Sequence, residues 1–246
     1  MKVAIVQMRV EMGAREANLA RALEAIAQAA GAGADLVVLP ECPFIGWLSE
    51  RVADLAEPIP GAITHKLADA AKEHGIYLCS GLTEHAGDDF FNSAVLFDRM
   101  GRLLLRHRKI NELDVGLEIY SRGRELTVAD TEFDLLGVNI CADNWLPCID
   151  QTIALMGARI VVSPCAWACD PGDEIPNIQS IRAKLKERTT ESEIYLVCAN
   201  SVGQLTEGPW KGRILQGASL AYAPGGSELL AGPMNQEAIL YCEIPA

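Results

Sequence analysis

The chain has 246 residues, half of them apolar, and its 33 acidic and 21 basic side chains give a formal net charge of −12. A chain of this length buries roughly 70–75% of its unfolded surface, which is enough to fold without disulfides or a structural metal, and its composition excludes disorder as the main state. The acidic charge argues against nucleic acid and anionic membranes as partners, because both are bound mainly through Lys and Arg.

Strand and helix patterns alternate along the first half of the chain. Residues 2–8 are apolar and β-branched and predict a strand, whereas the Ala- and Leu-rich residues 14–32 space their charges as a helix does. Residues 35–39 predict a buried strand that ends at Pro40. The next predicted elements are a helix over 61–74 and strands over 76–82, 93–97 and 103–108.

The second half repeats the alternation. Its predicted strands cover residues 131–140, 160–163, 194–199, 215–222 and 238–244, and its predicted helices cover residues 147–156 and 178–190. Alternating strands and helices predict an α/β fold. Because no linker rich in Ser, Gly or Pro separates the halves, we expect a single domain over residues 1–246.

Targeting and cysteine patterns bear on the compartment. Every apolar run is shorter than the ~18 residues that a membrane helix needs, and residues 1–7 lack the apolar stretch of a secretory signal. The eight cysteines are scattered without a Cys-x-x-Cys pair that would suit zinc. We therefore expect a cytoplasmic protein with mostly free thiols and no bound metal.

Three reactive side chains directly follow predicted strands, namely Glu41, Lys109 and Cys141. In α/β sheets catalytic groups are commonly placed at strand ends. A thiolate can attack a carbonyl or nitrile carbon, a carboxylate can take the thiol proton, and an ammonium can stabilise the developing oxyanion. These residue types therefore indicate nucleophilic catalysis.

The motifs around these residues resemble the nitrilase superfamily of carbon-nitrogen hydrolases. The ordered set that carries the resemblance is Leu39-Pro40-Glu41, Arg108-Lys109 and Ile140-Cys141-Ala142-Asp143. The resemblance implies a four-layer αββα sandwich, no metal or organic cofactor, and a homodimer or higher homo-oligomer. It also implies that Glu41 is the general base, Cys141 the nucleophile, and Lys109 the stabiliser of the oxyanion together with the Ala142 backbone N–H.

Members of this superfamily often use a second glutamate between the lysine and the cysteine. By position, Glu118 is the best match, and Glu112 and Glu125 are competitors that spacing does not exclude. The walls of the substrate pocket are assigned to Ala142 and to four further residues, Trp47, Trp145, Cys165 and Trp167.

The implied reaction releases ammonia from a small carboxamide through a thioester on Cys141. Cys141 is followed by Ala142-Asp143, which is nearer to the amidase and carbamoylase branches than to true nitrilases. An N-carbamoyl substrate is therefore the second alternative and a nitrile the third.

Three other functions remain open from the sequence. The fold could serve as a binding or scaffolding module without turnover. The many cysteines could act in thiol redox chemistry or metal sensing. His107, two residues before Lys109, could pair with a cysteine as in a Cys-His protease, although the sequence offers no orienting partner.

Overall fold

A computed structural model of the chain describes residues 1–245. Two six-stranded sheets form its centre, and a third sheet has three short strands. The helices are α1 (Arg15–Gly31), α2 (Val52–Leu55), α3 (Ala62–His74), α4 (Pro147–Leu155) and α5 (Glu174–Ser192). The strands are β1 (Lys2–Gln7), β2 (Leu36–Val38), β3 (Tyr77–Ala86), β4 (Asp89–Phe97), β5 (Leu103–Arg108), β6 (Val128–Asp130), β7 (Leu135–Val138), β8 (Ile160–Cys165), β9 (Ala168–Cys169), β10 (Tyr195–Asn200), β11 (Val202–Gln204), β12 (Ile214–Gln216), β13 (Leu220–Ala223), β14 (Ser227–Ala231) and β15 (Ala238–Glu243).

The first sheet has the strand order β15-β1-β2-β3-β4-β5. Strands β1, β2 and β3 run parallel, whereas β4, β5 and β15 join antiparallel. The second sheet has the order β14-β13-β10-β8-β7-β6, with β7, β8 and β10 parallel at its centre. In both sheets the parallel strands are largely buried, and β2 and the first half of β8 are continuous apolar runs, as is typical of strands covered on both faces.

The layers follow from the alternation of side chains along the strands. In β1, Ala4 and Val6 pack with the buried faces of α1 and α3, whereas Val3 and Ile5 pack with apolar side chains of the second sheet. The outer face of the second sheet packs against α4 and α5. The predicted four-layer αββα sandwich is therefore confirmed.

Two predicted elements differ from the observed ones. The strand expected over residues 215–222 is in fact two strands in different sheets, β12 and β13, because Gly217 and Ala218 have positive φ angles of 66° and 54° that break the extended chain. The strand expected over 131–140 begins only at Leu135, after a turn that Thr131 closes through its side chain. Within residues 1–245, no helix is long and apolar enough to cross a bilayer.

Candidate active site

Glu41 lies just beyond the end of β2, where the ends of the two sheets meet. Its backbone N–H donates a hydrogen bond to the carbonyl oxygen of Cys165 at the end of β8, 3.2 Å away. Gly81 of β3 packs against this segment so closely that a Cβ there would lie 2.4 Å from the Pro40 oxygen and 2.7 Å from Glu41 Cα. Glycine at position 81 therefore lets the chain carry a buried carboxylate into the space between the sheets.

Lys109 follows β5 directly and is the centre of a buried polar cluster. Its Nζ donates hydrogen bonds to Glu41 Oε1 at 2.7 Å and to Glu112 Oε1 at 3.2 Å. The side-chain amide of Asn92 donates to the same two carboxylates, at 2.6 Å to Glu41 Oε1 and 3.0 Å to Glu112 Oε2. The cluster thus fixes the positions of both carboxylates through two separate donors.

One carboxylate oxygen in this cluster has no hydrogen-bond partner. Glu41 is 1% exposed, and its Oε2 is buried without a donor among the described residues. An unpartnered buried carboxylate oxygen is unfavourable for stability, so its presence calls for a functional explanation. Because Glu41 and Cys141 line the same cavity, this oxygen is available to accept the thiol proton.

Cys141 is the first residue of a short 3-10 helix, Cys141–Trp145, that follows β7. Its φ angle is 49°, an unfavourable conformation for a residue with a side chain. Two hydrogen bonds hold this turn: the Cys141 N–H donates to Ser163 Oγ at 3.2 Å, and its carbonyl oxygen accepts from the Asn144 amide at 2.9 Å. The strained turn presents the thiol to the cavity that Glu41 and Lys109 also line.

The protonation states in the cluster follow from burial and from neighbouring charges. Contact with the Cys165 thiol, burial and the negative charge of Glu41 together raise the pKa of the Cys141 thiol well above its usual range. Burial alone would lower the pKa of Lys109, but Glu41 and Glu112 outweigh it and hold the ammonium charged. Burial raises the pKa of Glu112. Cys141 is therefore a neutral thiol at rest and needs a base when it attacks.

The cavity above Cys141 has a volume of about 170 Å³. The structure places Trp47, Ala142, Trp145 and Trp167 in its wall, where the sequence assigned them. Six lining residues were not predicted from the sequence: Leu113, Ala166, Ala168, Asn177, Ile181 and Trp210. They lie on loops, on β9 and on α5, and no local sequence signal shows that these segments meet.

Cys165 does not line the cavity, contrary to its assignment as a pocket residue. It is the last residue of β8, fully buried, with its thiol in contact with Ser163 and Cys141. A residue two positions farther along the chain, Trp167, reaches the cavity instead. Cys165 therefore contacts Cys141 from within the protein.

The assignment of Glu118 to the site is corrected by its position. Glu118 ends an exposed 3-10 turn, Gly116–Glu118, whereas the competitor Glu112 is buried and contacts Lys109 and Asn92. The only sequence signal for Glu112 was its nearness to Lys109, because just two residues separate them. The signal for Asn92 was the hairpin register, because the pairing of Ser93 with Arg108 places Asn92 opposite Lys109.

His107 does not contact Cys141, which argues against a Cys-His pair. Its Nε2 lies 2.8 Å from Asp143 Oδ2, and both residues are buried. Burial alone would raise the pKa of Asp143, but the hydrogen bond and charge of His107 and two backbone N–H donors hold it below its usual value. The pair connects the strand that leads to Lys109 with the turn that holds Cys141.

A thiol, a carboxylate with a free oxygen and an ammonium around one cavity can perform nucleophilic attack on a carbonyl carbon. The ammonium has three N–H donors and only two hydrogen bonds in the cluster, so the third is available to an oxyanion. Among residues 1–245, no group of three or more His, Cys, Asp or Glu side chains is arranged to hold a metal ion.

Comparison with known proteins gives matches over the whole chain. The family model for carbon-nitrogen hydrolases matches residues 2–246. The omega-amidase NIT2 of Danio rerio is 29% identical over an alignment of 253 residues. The alignment covers 99% of this chain and 87% of that protein. A nitrilase of Pyrococcus abyssi is 30% identical over 257 residues, which cover 99% of this chain and 89% of that protein.

The solved structures agree with these sequence matches. The crystal structure of an amidase from Nesterenkonia sp. superposes with a TM-score of 0.86 and 25% sequence identity. The superposition covers 100% of this chain and 90% of the amidase.

Proposed function

The chain belongs to the carbon-nitrogen hydrolase family of the nitrilase superfamily, and from this premise we propose that it hydrolyses the amide bond of a small carboxamide with Cys141 as the nucleophile. The enzyme is a carbon-nitrogen hydrolase, and the proposal concerns its site residues and its substrate. The observation that carries it is the unpartnered Oε2 of Glu41 beside a neutral thiol and a charged Lys109.

The first step forms the bond between enzyme and substrate. Glu41 Oε2 accepts the proton of Cys141 as the sulfur attacks the amide carbon, and the C=O electron pair moves to the oxygen. The resulting oxyanion accepts hydrogen bonds from the third N–H of Lys109 and from the Ala142 backbone N–H. Because the thiol pKa is raised, proton transfer to Glu41 accompanies the attack.

The second step releases ammonia and then the acid. The protonated Glu41 donates its proton to the amide nitrogen, the C–N bond breaks and a thioester remains on Cys141. Glu41 then accepts a proton from water as the water oxygen attacks the thioester carbon. The C–S bond breaks, Glu41 returns the proton to the sulfur, and the carboxylic acid leaves, which restores the ionised Glu41 and the neutral thiol.

The decisive experiment measures ammonia release from acetamide and other simple amides. We expect the wild-type enzyme to release ammonia and Cys141→Ala to show none, whereas Cys148→Ala, which removes an exposed thiol, keeps full activity. Glu41→Gln should release no ammonia, because the base that takes the thiol proton is missing, and mass spectrometry of the wild-type enzyme quenched during turnover should detect the acyl adduct on Cys141. Activity in Cys141→Ala, or an adduct on Cys165, would contradict the mechanism.

The same assay separates the alternatives. N-carbamoyl amino acids and nitriles are tested beside the amides, because the sequence left both open and a relative is named a nitrilase. If no member of the three classes is turned over, the proposal of a binding module without catalysis takes its place. Thiol counting before and after mild oxidation tests the redox role.

We propose also that the protein is cytoplasmic and forms a homodimer. All eight cysteines are free, including the contacting pair Cys141 and Cys165, which is consistent with a reducing compartment. Support for a dimer comes from large apolar side chains exposed on the outer helices, Leu155 of α4 and Ile175 of α5. Cell fractionation tests the location.

A further inference from the structure

Every tryptophan of the chain lines the cavity that contains Cys141. The sequence has four tryptophans, and four separate segments bring them together. Trp47 follows the Glu41 segment, Trp145 ends the 3-10 helix of Cys141, Trp167 connects β8 to β9, and Trp210 lies between β11 and β12. Indoles offer large, flat, apolar surfaces, so their concentration here sets the chemical character of the cavity.

The indoles are packed in fixed orientations. The rings of Trp47 and Trp210 meet edge to face, with their centroids 5.1 Å apart and their planes at 84°. The guanidinium of Arg213 stacks on Trp210 at 3.9 Å, and Lys184 lies 5.6 Å from the Trp145 ring. Rings held in this way line a preformed aromatic slot, which favours a rigid ring-shaped ligand over a flexible one.

The charge of the cavity disfavours an anionic acyl group. Lys109 is the only cation among the described lining residues, and Glu41 and Glu112 already bind it. Arg213 and Lys184 contact indole rings but do not line the cavity, and Arg213 also pairs with Asp170 at 3.2 Å. A substrate carboxylate would share the cavity with Glu41 and would find no cation that is not already bound to carboxylates.

The size of the cavity fits a small ring. Its volume is about 170 Å³, and an apolar protein cavity of about 150 Å³ accommodates benzene. The additional space suits a carboxamide carbon that reaches Cys141. Apart from the catalytic groups, the described part of the wall offers as uncharged polar groups the Asn177 amide and the unpartnered indole N–H groups of Trp47 and Trp167.

We propose that the preferred substrate is an uncharged amide with a flat apolar acyl group, such as an aryl carboxamide, held between the indoles of Trp47, Trp145, Trp167 and Trp210. The inference rests on the proposed amide hydrolysis and adds the acyl group to it. It also assigns a role in specificity to Trp210, which the sequence did not indicate.

Three amides with the same number of non-hydrogen atoms test the acyl group: benzamide, 5-methylhexanamide and glutaramate. 5-Methylhexanamide has the shape of glutaramate with a branched methyl end in place of the carboxylate. We expect kcat/KM to decrease in the order benzamide, 5-methylhexanamide, glutaramate, with the carboxylate costing about a hundredfold or more. Equal or better hydrolysis of glutaramate would overturn the proposal.

Two substitutions in the cavity wall test two different selectivity ratios. Trp210→Leu should reduce the ratio of benzamide to acetamide turnover about three- to tenfold, and Trp210→Phe should restore most of it. Asn177→Lys places a cation in the wall and should raise the ratio of glutaramate to 5-methylhexanamide about five- to tenfold. The matched control is Tyr241→Leu on β15, which should leave both ratios unchanged. Ratios that stay constant in Trp210→Leu and Asn177→Lys would contradict the assignment.

Binding can be measured without turnover, because all four tryptophans report on the cavity. Tryptophan fluorescence of Cys141→Ala should respond to benzamide at much lower concentrations than to glutaramate. Benzamide binding without ammonia release from any amide by the wild-type enzyme would support the slot but overturn the proposed function. Ammonia release from amides with no preference for flat acyl groups would support the proposed function but overturn the slot.

Discussion

Lys109 binds two carboxylates, Glu41 and Glu112, and the two differ in how many of their oxygens are hydrogen-bonded. Glu41 uses only Oε1 in the cluster, so its Oε2 remains available to the thiol. Glu112 uses both oxygens, because Oε1 accepts from Lys109 and Oε2 accepts from Asn92. Glu112 therefore acts as a positioning residue, whereas Glu41 can exchange a proton.

We predict that Glu112→Gln lowers kcat by about ten- to a thousandfold and changes KM much less. The amide keeps the size of the side chain but removes one of the two negative charges that hold Lys109 in place. Steady-state ammonia release measures the effect. The matched control is Glu118→Gln, which changes an exposed carboxylate at the position the sequence favoured. A larger loss of kcat in Glu118→Gln would contradict the role of Glu112 and indicate that Glu118 is the second functional glutamate.

Glu112 and Cys165 show why the sequence predicts some residues and misses others. Glu41, Lys109 and Cys141 were predicted because each belongs to a motif beside a strand. The second glutamate depends on which side of one loop faces inward, and three glutamates satisfy the order along the chain. Cys165 does not reach the cavity because it is still part of β8, and the lining residues begin only after the strand ends.

At the scale of elements, the turn after β7 connects the two halves of the site through Asp143. Oδ1 of Asp143 accepts from the backbone N–H groups of Ile110 and Asn111, next to Lys109. Oδ2 accepts from the Ile140 N–H, next to Cys141, and contacts His107. One buried carboxylate thus connects the segment of Lys109 with the turn of Cys141.

Asp150 of helix α4 is also a buried carboxyl, and it makes the stability of the fold depend on pH. Burial raises its pKa to about 7, and although Asn139 donates a 2.7 Å hydrogen bond to Oδ1, Oδ2 has no partner among the described residues. A carboxyl whose pKa is higher in the folded state stabilises the fold fully below its unfolded pKa of about 3.9. This contribution is lost as the pH rises through about 7.

We predict that Asp150→Asn removes part of the pH dependence of stability. In the wild-type protein, Asp150 should lower the free energy of unfolding by about 2–3 kcal/mol between pH 5 and pH 8. Asparagine keeps the acceptor for Asn139 and does not titrate, so the decrease should shrink by that amount. Urea unfolding at both pH values measures it, with Asp88→Asn in an exposed turn as control. An unchanged pH dependence in Asp150→Asn would contradict the assigned cause.

Most elements of the sandwich were predictable because each has one dominant periodicity. Strands β1, β2 and β8 consist mostly of apolar residues, and α1 and α3 have clear buried faces. The short strands β9, β11 and β12 were not recognised as a separate sheet, because their pairing depends on distant segments. The path through Gly217 and Ala218 likewise depends on positive φ angles that a run of apolar residues does not reveal.

At the scale of the whole molecule, the two outer helical layers differ in their exposed surfaces. Among the described residues, the layer of α4 and α5 exposes Leu155 and Ile175, which are 88% and 56% exposed, whereas α1 and α3 expose no large apolar side chain. The side chains at the ends of α4, Leu146 and Met156, are also exposed. Large apolar side chains exposed on one layer and not on the other are typical of a surface covered by a partner.

We predict that the protein is a homodimer in which this layer meets its copy, so that light scattering gives twice the chain mass of 26.5 kDa. Leu155→Glu should shift the population toward the monomer, because a C2 interface places each substitution twice and a buried carboxylate there lacks a partner. Met100→Glu is the matched control, since Met100 is 61% exposed in a turn between strands of the first sheet. A monomeric wild-type protein, or dissociation caused equally by Met100→Glu, would show that α4 and α5 do not form the interface.

Because Trp145, Asn177 and Ile181 of the cavity wall belong to the same layer or lie next to it, loss of the dimer should also weaken amide turnover.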